Sequence, residues 1–219
     1  METTQTPLAV LWDFGGVILS SPFEAFNRYE REAGLPKDFI RGLNARNPDG
    51  NAWAKMERSE VSLQGFVDLF EAEAIEQGHR LDGWAVLKML SGEVRPQMVE
   101  ALRRCKNNFR VACITNNMKS GEGPGMARDP AKARAVAKIM TLFEHVVESS
   151  KLGLRKPDPR IYRHACELLG VPPERCIYLD DLGINLKPAK AMGMRTIKVG
   201  DPDVAIAELQ AMVGIPLKG

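Results

Sequence analysis

Four short segments carry residues able to do nucleophilic, phosphoryl-binding or metal chemistry. The first closes an unbroken apolar run: Leu8 to Trp12 leads into Asp13, followed by Phe14-Gly15-Gly16-Val17. A carboxylate there can be a nucleophile, a metal ligand or only the cap of a turn, and the glycines let backbone approach a ligand closely. The second is Thr115-Asn116-Asn117, after the run Val111 to Ile114. A hydroxyl and free amides at a strand tip can hold a phosphoryl oxygen, as they can cap an ordinary turn. The third is Lys156-Pro157-Asp158-Pro159, whose prolines restrict the backbone on both sides of Asp158. That fixes Lys156 in a loop where an ammonium can neutralise an anion. Lys151 and Arg155 compete for this role, and a solvated lysine ahead of a helix starting at Pro159 is the plain alternative. The fourth, Leu179-Asp180-Asp181-Leu182-Gly183-Ile184-Asn185, sets two adjacent carboxylates at a strand end. Like charges so placed need a compensating cation, and hard oxygen ligands suit magnesium; an acidic helix-capping turn is the alternative.

The elements that must position these segments alternate. Apolar runs predict strands at Leu8 to Trp12, Phe109 to Thr115, His145 to Ser149, Cys176 to Leu179 and Arg195 to Val199. Between them, helices are expected from Arg95-Pro96 to about Cys105, from Pro130 to Leu142, from Pro159 to Leu169 with a stop at Gly170, and from Lys187 to Met192 with a stop at Gly193. Such alternation predicts an α/β fold with a doubly wound parallel sheet, whose ligands sit beyond the carboxyl ends of the strands. Asp13, Thr115, Asp180 and Asp181 fall at such ends. Residues 20–92 contain no strand signal. Phe23 to Glu32 and Ser62 to Gln77 have apolar residues at helical spacing, Ser62 stands as a helix cap, and Gly34-Leu35-Pro36 and Asn47-Pro48-Asp49-Gly50 mark turns. The expected organisation is a core of residues 1–19 and 93–219 with an inserted helical domain over 20–92.

Composition narrows the class. The chain has 219 residues, 44% of them hydrophobic and 26% charged, enough to bury a sizeable core without staples. A formal charge of +2 with no polybasic block points away from nucleic acid and membrane surfaces. Cys105, Cys113, Cys166 and Cys176 form neither a CxxC pair nor zinc-type spacing and read as packing thiols of a reduced, cytoplasmic protein. The first residues lack the basic start and apolar stretch of a signal peptide, and no apolar run is long enough to span a bilayer. His79, His145 and His164 show no ligand spacing and read as structural. Phe23, Arg46, Trp53, Lys55 and Arg58 can face a site from the insert, or equally form its core or surface. The Gly-rich stretch from Gly121 to Asp129 reads as a mobile segment, a contact or a gate.

Taken together, the four segments resemble the four motifs of the haloacid dehalogenase superfamily, in order and on the right element types, over essentially the whole chain. The helical insert sits where that superfamily carries a helical cap. The text from Leu179 to Ala189, with Ile114-Thr115-Asn116 and Lys156 to Tyr162, is similar to the group of the N-terminal phosphatase domain of soluble epoxide hydrolases. The resemblance implies a magnesium-dependent phosphatase acting on a small phosphate monoester, as monomer or homodimer. Asp13 would form an aspartyl-phosphate. Thr115, the amide of Asn116 and Lys156 would hold the phosphoryl group. Magnesium would be held by Asp13, Asp181 and the main-chain carbonyl of Gly15, supported by Asp180 and Asn185. The insert would act as a lid, with hinges near Leu19 to Pro22 and Gly92 to Pro96. One departure stands out: the superfamily's phosphatases usually carry a second Asp, a general acid and base, where this chain has Gly15. A carbonyl ligand survives that change and the acid does not. Metal-free hydrolysis of a carbon–halogen bond by the same nucleophile, and a catalytically weak phosphate-binding module, are the alternatives; Asp180-Asp181 favours the phosphatase.

Overall fold

A computed structural model describes residues 6–117 and 130–218; the stretch from Gly121 to Asp129 lies outside the described residues. Five strands form one parallel sheet: β1 (Ala9–Trp12), β2 (Arg110–Thr115), β3 (His145–Glu148), β4 (Cys176–Asp180) and β5 (Arg195–Lys198), in the order β3-β2-β1-β4-β5. The order reverses direction between β1 and β4, and this switch point is where a doubly wound sheet opens its ligand crevice.

Both faces of the sheet are covered, which is why its strands read as continuous apolar runs. Val10, Trp12, Val111, Cys113, Ile177 and Leu179 face one core. The helices α6 (Pro96–Lys106), α7 (Pro130–Met140) and α11 (Pro202–Val213) close that side through Met98, Leu102, Val136, Ile206 and Leu209. The alternate residues Ala9, Leu11, Ala112, Ile114, Cys176 and Tyr178 face a second core, closed by α9 (Pro159–Leu169) and α10 (Gly183–Ala191). A short α8 (Ser149–Leu152) follows β3 directly. All four cysteines are free and buried.

Between β1 and α6 the chain builds five helices: α1 (Phe23–Glu32), α2 (Phe39–Ala45), α3 (Ala52–Glu57), α4 (Leu63–Glu76) and α5 (Gly83–Met89). They gather their own apolar cluster around Phe26, Ile40, Phe66 and Phe70. Trp53 meets the Phe26, Phe66 and Phe70 rings edge-on at 5.6–6.3 Å between centroids, a favoured aromatic geometry. Polar side chains cap the starts of several of these helices. Ser62 accepts from the Gly65 amide as expected, Asn51 caps α3, and the buried Glu30 carboxylate accepts from the Asp38 and Ile40 amides.

The chain leaves for these helices and returns from them side by side. Leu19 and Val94 form an antiparallel bridge. The Ser20 amide donates to the Glu93 carbonyl at 2.7 Å, and the Arg95 amide to the Ile18 carbonyl at 2.9 Å. A Cβ on Gly92 would lie 2.2 Å from the Ser20 carbonyl oxygen, so only glycine lets the two crossings touch. The expected hinge regions are therefore paired to one another.

One of the expected helices starts earlier than its sequence reading. α10 starts at Gly183 rather than Lys187, because the acidic turn nucleates it. The Asp180 carboxylate accepts from the Leu182 amide, and the Asn185 amide donates to the Leu182 carbonyl. Of the three histidines, His79 packs against the Phe39 ring of the insert at 5.0 Å, and His145 and His164 are half-buried in β3 and α9.

Candidate active site

Register brings the motifs together. Trp12 pairs with both Cys113 and Leu179. Asp13 therefore emerges abreast of Asp180 on one side, with Thr115 just beyond on the other. The Asp13 amide donates to the Leu179 carbonyl at 2.8 Å, continuing the ladder, and the Phe14 amide turns back onto Asp13 Oδ1 at 2.7 Å.

Of the three neighbouring cations, Lys156 is the one drawn inside. Its ammonium lies 2.8 Å from Asp13 Oδ1 and 2.8 Å from Asp180 Oδ2, with the side chain 1% exposed. Lys151 is largely exposed and pairs with Glu148, while Arg155 pairs with Glu57 at 2.5 Å. Burial alone would lower the Lys156 pKa. The two carboxylates and their hydrogen bonds more than reverse that, holding it above the ordinary lysine range, so it is an ammonium at any working pH.

Asp180 is the most fully bonded group in the site. Besides Lys156, it accepts from the Leu182 amide at 2.8 Å, from Asn185 Nδ2 at 3.0 and 3.1 Å, and from the Tyr178 hydroxyl. Burial, and then the adjacent Asp180, keep the Tyr178 phenol protonated. Tyr162 secures the far side by donating to the Asn185 carbonyl at 2.7 Å. This wholly buried carboxylate is thus stabilised by donors on every side.

Asp181 differs from its neighbour. Its carboxylate accepts a long hydrogen bond from the Ser21 hydroxyl at 3.3 Å. Burial, then repulsion from Asp180, raise its pKa to about 6, against the pull of Lys156. Asp13 is raised as well, chiefly by burial; Lys156 opposes the shift, and Asp180 and Asp181 add to it. One oxygen from each of Asp13, Asp180 and Asp181 lies within 4.8 Å of the others. Among the described residues, three carboxylates thus cluster beside one buried ammonium, and the donor set is the hard-oxygen kind that suits magnesium.

The two glycines of the first motif have separate duties. Gly16 has φ +77°, and a Cβ there would sit 2.2 Å from Asp181 Oδ2, so a side chain would displace that carboxylate. Its carbonyl is tied to Arg95 at 2.8 Å. At Gly15, by contrast, a Cβ would meet nothing within 4 Å.

Thr115 is buried at the tip of β2. The Asn116 side chain brackets the Lys156 peptide: its Oδ1 accepts from the Lys156 amide at 2.8 Å, and its Nδ2 donates to the Lys156 carbonyl at 3.1 Å. Asn117 donates to Glu148 at 2.7 Å, and its main chain meets Ser149 Oγ. Sequence reasoning missed Tyr178 and Glu57. A tyrosine two residues before the acidic pair, inside a buried strand, had to find an acceptor. Of the insert residues singled out, Arg58 turns to Glu60 and the Asp49 carbonyl, and Phe23 to Arg41.

A five-stranded parallel α/β fold thus carries a buried lysine locked between carboxylates at the switch point of its sheet. A family model described as a haloacid dehalogenase-like hydrolase matches residues 7–193, and the chain belongs to that family. It is 28% identical over 221 residues to pig bifunctional epoxide hydrolase 2, covering 95% of this chain and 39% of that one. It is 31% identical over 199 residues to phosphatase MT3486 of Mycobacterium tuberculosis, covering 87% and 86%. The chain spans only 19–39% of the length of the first curated relatives it matches. Among solved structures, a wild-type HAD family enzyme from Bacteroides thetaiotaomicron, in complex with magnesium and inorganic phosphate, aligns with TM-score 0.58 at 16% identity, over 89% of this chain and 94% of that one. A dehalogenase with an intermediate complex aligns with TM-score 0.65 at 18% identity, over 97% and 100%. Likenesses at these identities concern the fold.

Proposed function

We propose that the chain is a magnesium-dependent phosphatase that hydrolyses small phosphate monoesters through an aspartyl-phosphate on Asp13. The observation that carries this reading is the charge balance among the described residues: three mutually close carboxylates against one buried ammonium. A carbon–halogen hydrolase working without metal needs the nucleophile and its lysine. It has no use for Asp181, whose charge would stand uncompensated beside Asp13 and Asp180. Asp13, Asp181 and the Gly15 carbonyl would hold the ion, with Asp180 and Asn185 behind them. Once bound, magnesium would supply positive charge beside the phosphoryl oxygens.

The chain's own groups do the rest. Asp13 attacks phosphorus and the ester oxygen departs. Lys156 offsets the charge that builds on the nucleophile and the phosphoryl group. The Thr115 hydroxyl and the Asn116 amide hold phosphoryl oxygens, and water then cleaves the acyl phosphate. Helices α1–α5 form a cap over this edge, and residues 1–19 and 93–219 form the core. Four buried free thiols support a reducing, cytoplasmic setting, and among the described residues no helix is long and apolar enough to cross a membrane.

A generic aryl phosphate assayed with and without magnesium tests the proposal. Turnover that requires the ion supports it. Halide release from a 2-haloacid without metal, or phosphate-analogue binding without turnover of any ester, would overturn it. The ion should also compete with a proton. Asp181 with a pKa of about 6 must ionise to bind, so magnesium affinity should fall about tenfold per pH unit below about 6. In the metal-free protein this raised pKa acts on stability too. The contribution of Asp181 is fully present below the unfolded value of about 3.9 and is lost as pH rises through about 6. Calorimetric titration at pH 5 and 7 reads the first effect and metal-free melting curves the second; a pH-independent affinity would refute the assignment of Asp181.

The open space at Gly15 predicts the leaving-group dependence. With no acid there, a basic alkoxide must leave unprotonated, and general acid catalysis ordinarily contributes about 10²–10⁴-fold. Alkyl phosphates should therefore react far more slowly than aryl, acyl or anomeric sugar phosphates. Gly15→Asp has room for its side chain and should recover part of that factor for alkyl esters, flattening the dependence on leaving-group pKa. A shallow dependence in the wild type, with chemistry rate-limiting, would mean that another residue serves as the acid.

A further inference from the structure

Glu57, the last residue of α3, is an anion from the helical insert placed against the loops of the sheet. Its side chain is only 10% exposed, and its bonds run in two directions. On its own side, Oε1 accepts from the Trp53 indole at 3.1 Å, which ties it to the aromatic cluster of the insert. Across the interface, Oε2 accepts from Arg155 Nε at 2.5 Å and from Asn116 Nδ2 at 3.2 Å, and its main-chain carbonyl accepts from Ser149 Oγ at 2.8 Å. Arg155 also donates to the Pro48 carbonyl, and Ser59 to the Ser150 carbonyl.

What makes this more than a seam is the next link. Asn116 Nδ2, the atom held by Glu57, is also the donor to the Lys156 carbonyl, while Oδ1 of the same amide accepts from the Lys156 N–H. An amide that spans both sides of a peptide fixes where that peptide sits. The lysine it carries is the group locked between Asp13 and Asp180. The Arg155 guanidinium, one residue earlier on the same loop, is gripped by the same carboxylate oxygen.

We infer that Glu57 is a positioning residue, through which the helical insert, when seated, sets the Lys156 ammonium against Asp13 by way of Asn116 and Arg155. The inference rests on Lys156 serving the reaction proposed above. Seating the insert then does more than exclude water: it completes the placement of a charge inside the site. A displacement on the order of 1 Å in a reacting group can cost about 10²-fold, so the effect belongs in the chemical step rather than in substrate affinity.

The test pairs kinetics with a direct view of the lysine. A buried, paired ammonium gives its own signal in proton–nitrogen correlation spectra of the whole chain, without substrate. Glu57→Ala should shift or broaden the Lys156 signal and lower kcat about 10–100-fold, with KM within about threefold. Glu57→Gln keeps a single acceptor oxygen, which at the Oε2 position still takes the Asn116 and Arg155 donors while its NH2 faces the Trp53 indole, and should restore part of both. In a Lys156→Met background, Glu57→Ala should add no further loss, because both act through one group. An unmoved Lys156 signal, a loss confined to KM, or losses that multiply with Lys156→Met would overturn the inference. Should Glu57→Ala fail to fold, Asn116→Ala breaks the same link from the sheet side and leaves the Glu57–Arg155 pair intact. An unmoved lysine signal there is equally fatal. A wild type that turns over no phosphate ester defeats the phosphatase reading, while the spectral test stands unaffected.

Discussion

Asp13→Asn is expected to lower turnover by at least about 10⁴-fold while leaving the melting temperature at or above that of the wild type. Removing a nucleophile that works as a unit with its neighbours costs rate on that scale. Stability should not suffer, because the amide oxygen can still accept from the Phe14 amide and from Lys156. The substitution also removes one of three crowded negative charges, and burial already disfavours the charged form of Asp13. Beryllium fluoride should form an adduct on the wild type and none on the variant. Single-turnover kinetics and a thermal melt check both halves; near wild-type turnover would sink Asp13 as the nucleophile.

Lys156→Met should damage both activity and fold. The ammonium is the counter-charge of two buried carboxylates, and removing one partner from a buried ion pair typically costs about 3–5 kcal/mol. For a chain of this size that is a fall in Tm of roughly 6–20 °C. Asp180 keeps its bonds from Tyr178, Leu182 and Asn185, whereas Asp13 keeps, among the described residues, the Phe14 amide alone. The cost should therefore be concentrated on Asp13. Without the lysine its pKa rises further, so the deficit should shrink as pH falls and Asp13 takes up a proton. Turnover should drop by at least the 10²–10³-fold or so typical of a lost oxyanion donor. Melting curves of wild type and variant at pH 5 and 8 give the comparison; equal Tm values at pH 8 would show that the lysine is not the charge partner its geometry indicates.

The strands were legible because a parallel sheet covered on both faces needs apolar residues at every position, and such runs stand out locally. Asp13, Thr115 and Asp180 were legible for the same reason, each ending one of those runs. The choice of Lys156 over Lys151 and Arg155 came from the family resemblance and not from local pattern. The three lie within six residues, and what separates them is the distance from their loop to β1 and β4, which no local pattern records. The start of α10 was missed because the acidic turn serves both site and helix. The C-terminal helix α11 was missed because its apolar residues do not keep to one side: Val204 is 65% exposed while Ala205 and Ile206 are buried. Glu57 was invisible for a different reason. Among the 28 acidic residues of the chain, nothing in its own neighbourhood marks it, and its meaning lies in Asn116 and Arg155, 59 and 98 residues away.

The paired crossings at Leu19–Val94 and Ser20–Glu93 make the five helices, topologically, one enlarged hairpin loop. Closing a long connection rather than a tight turn adds only about 0.6 kcal/mol per doubling of length, or roughly 2–3 kcal/mol for this one, and the loop's own apolar cluster offsets that. Chain entropy therefore sets little limit on what is spliced between Ser20 and Glu93; the charged edge asks of it the hydroxyl that Ser21 brings to Asp181 and the carboxylate that Glu57 brings to Asn116 and Arg155. A short two-residue turn in its place should give a folded sheet domain whose lysine is less firmly held and whose Asp181 has lost its bond from Ser21.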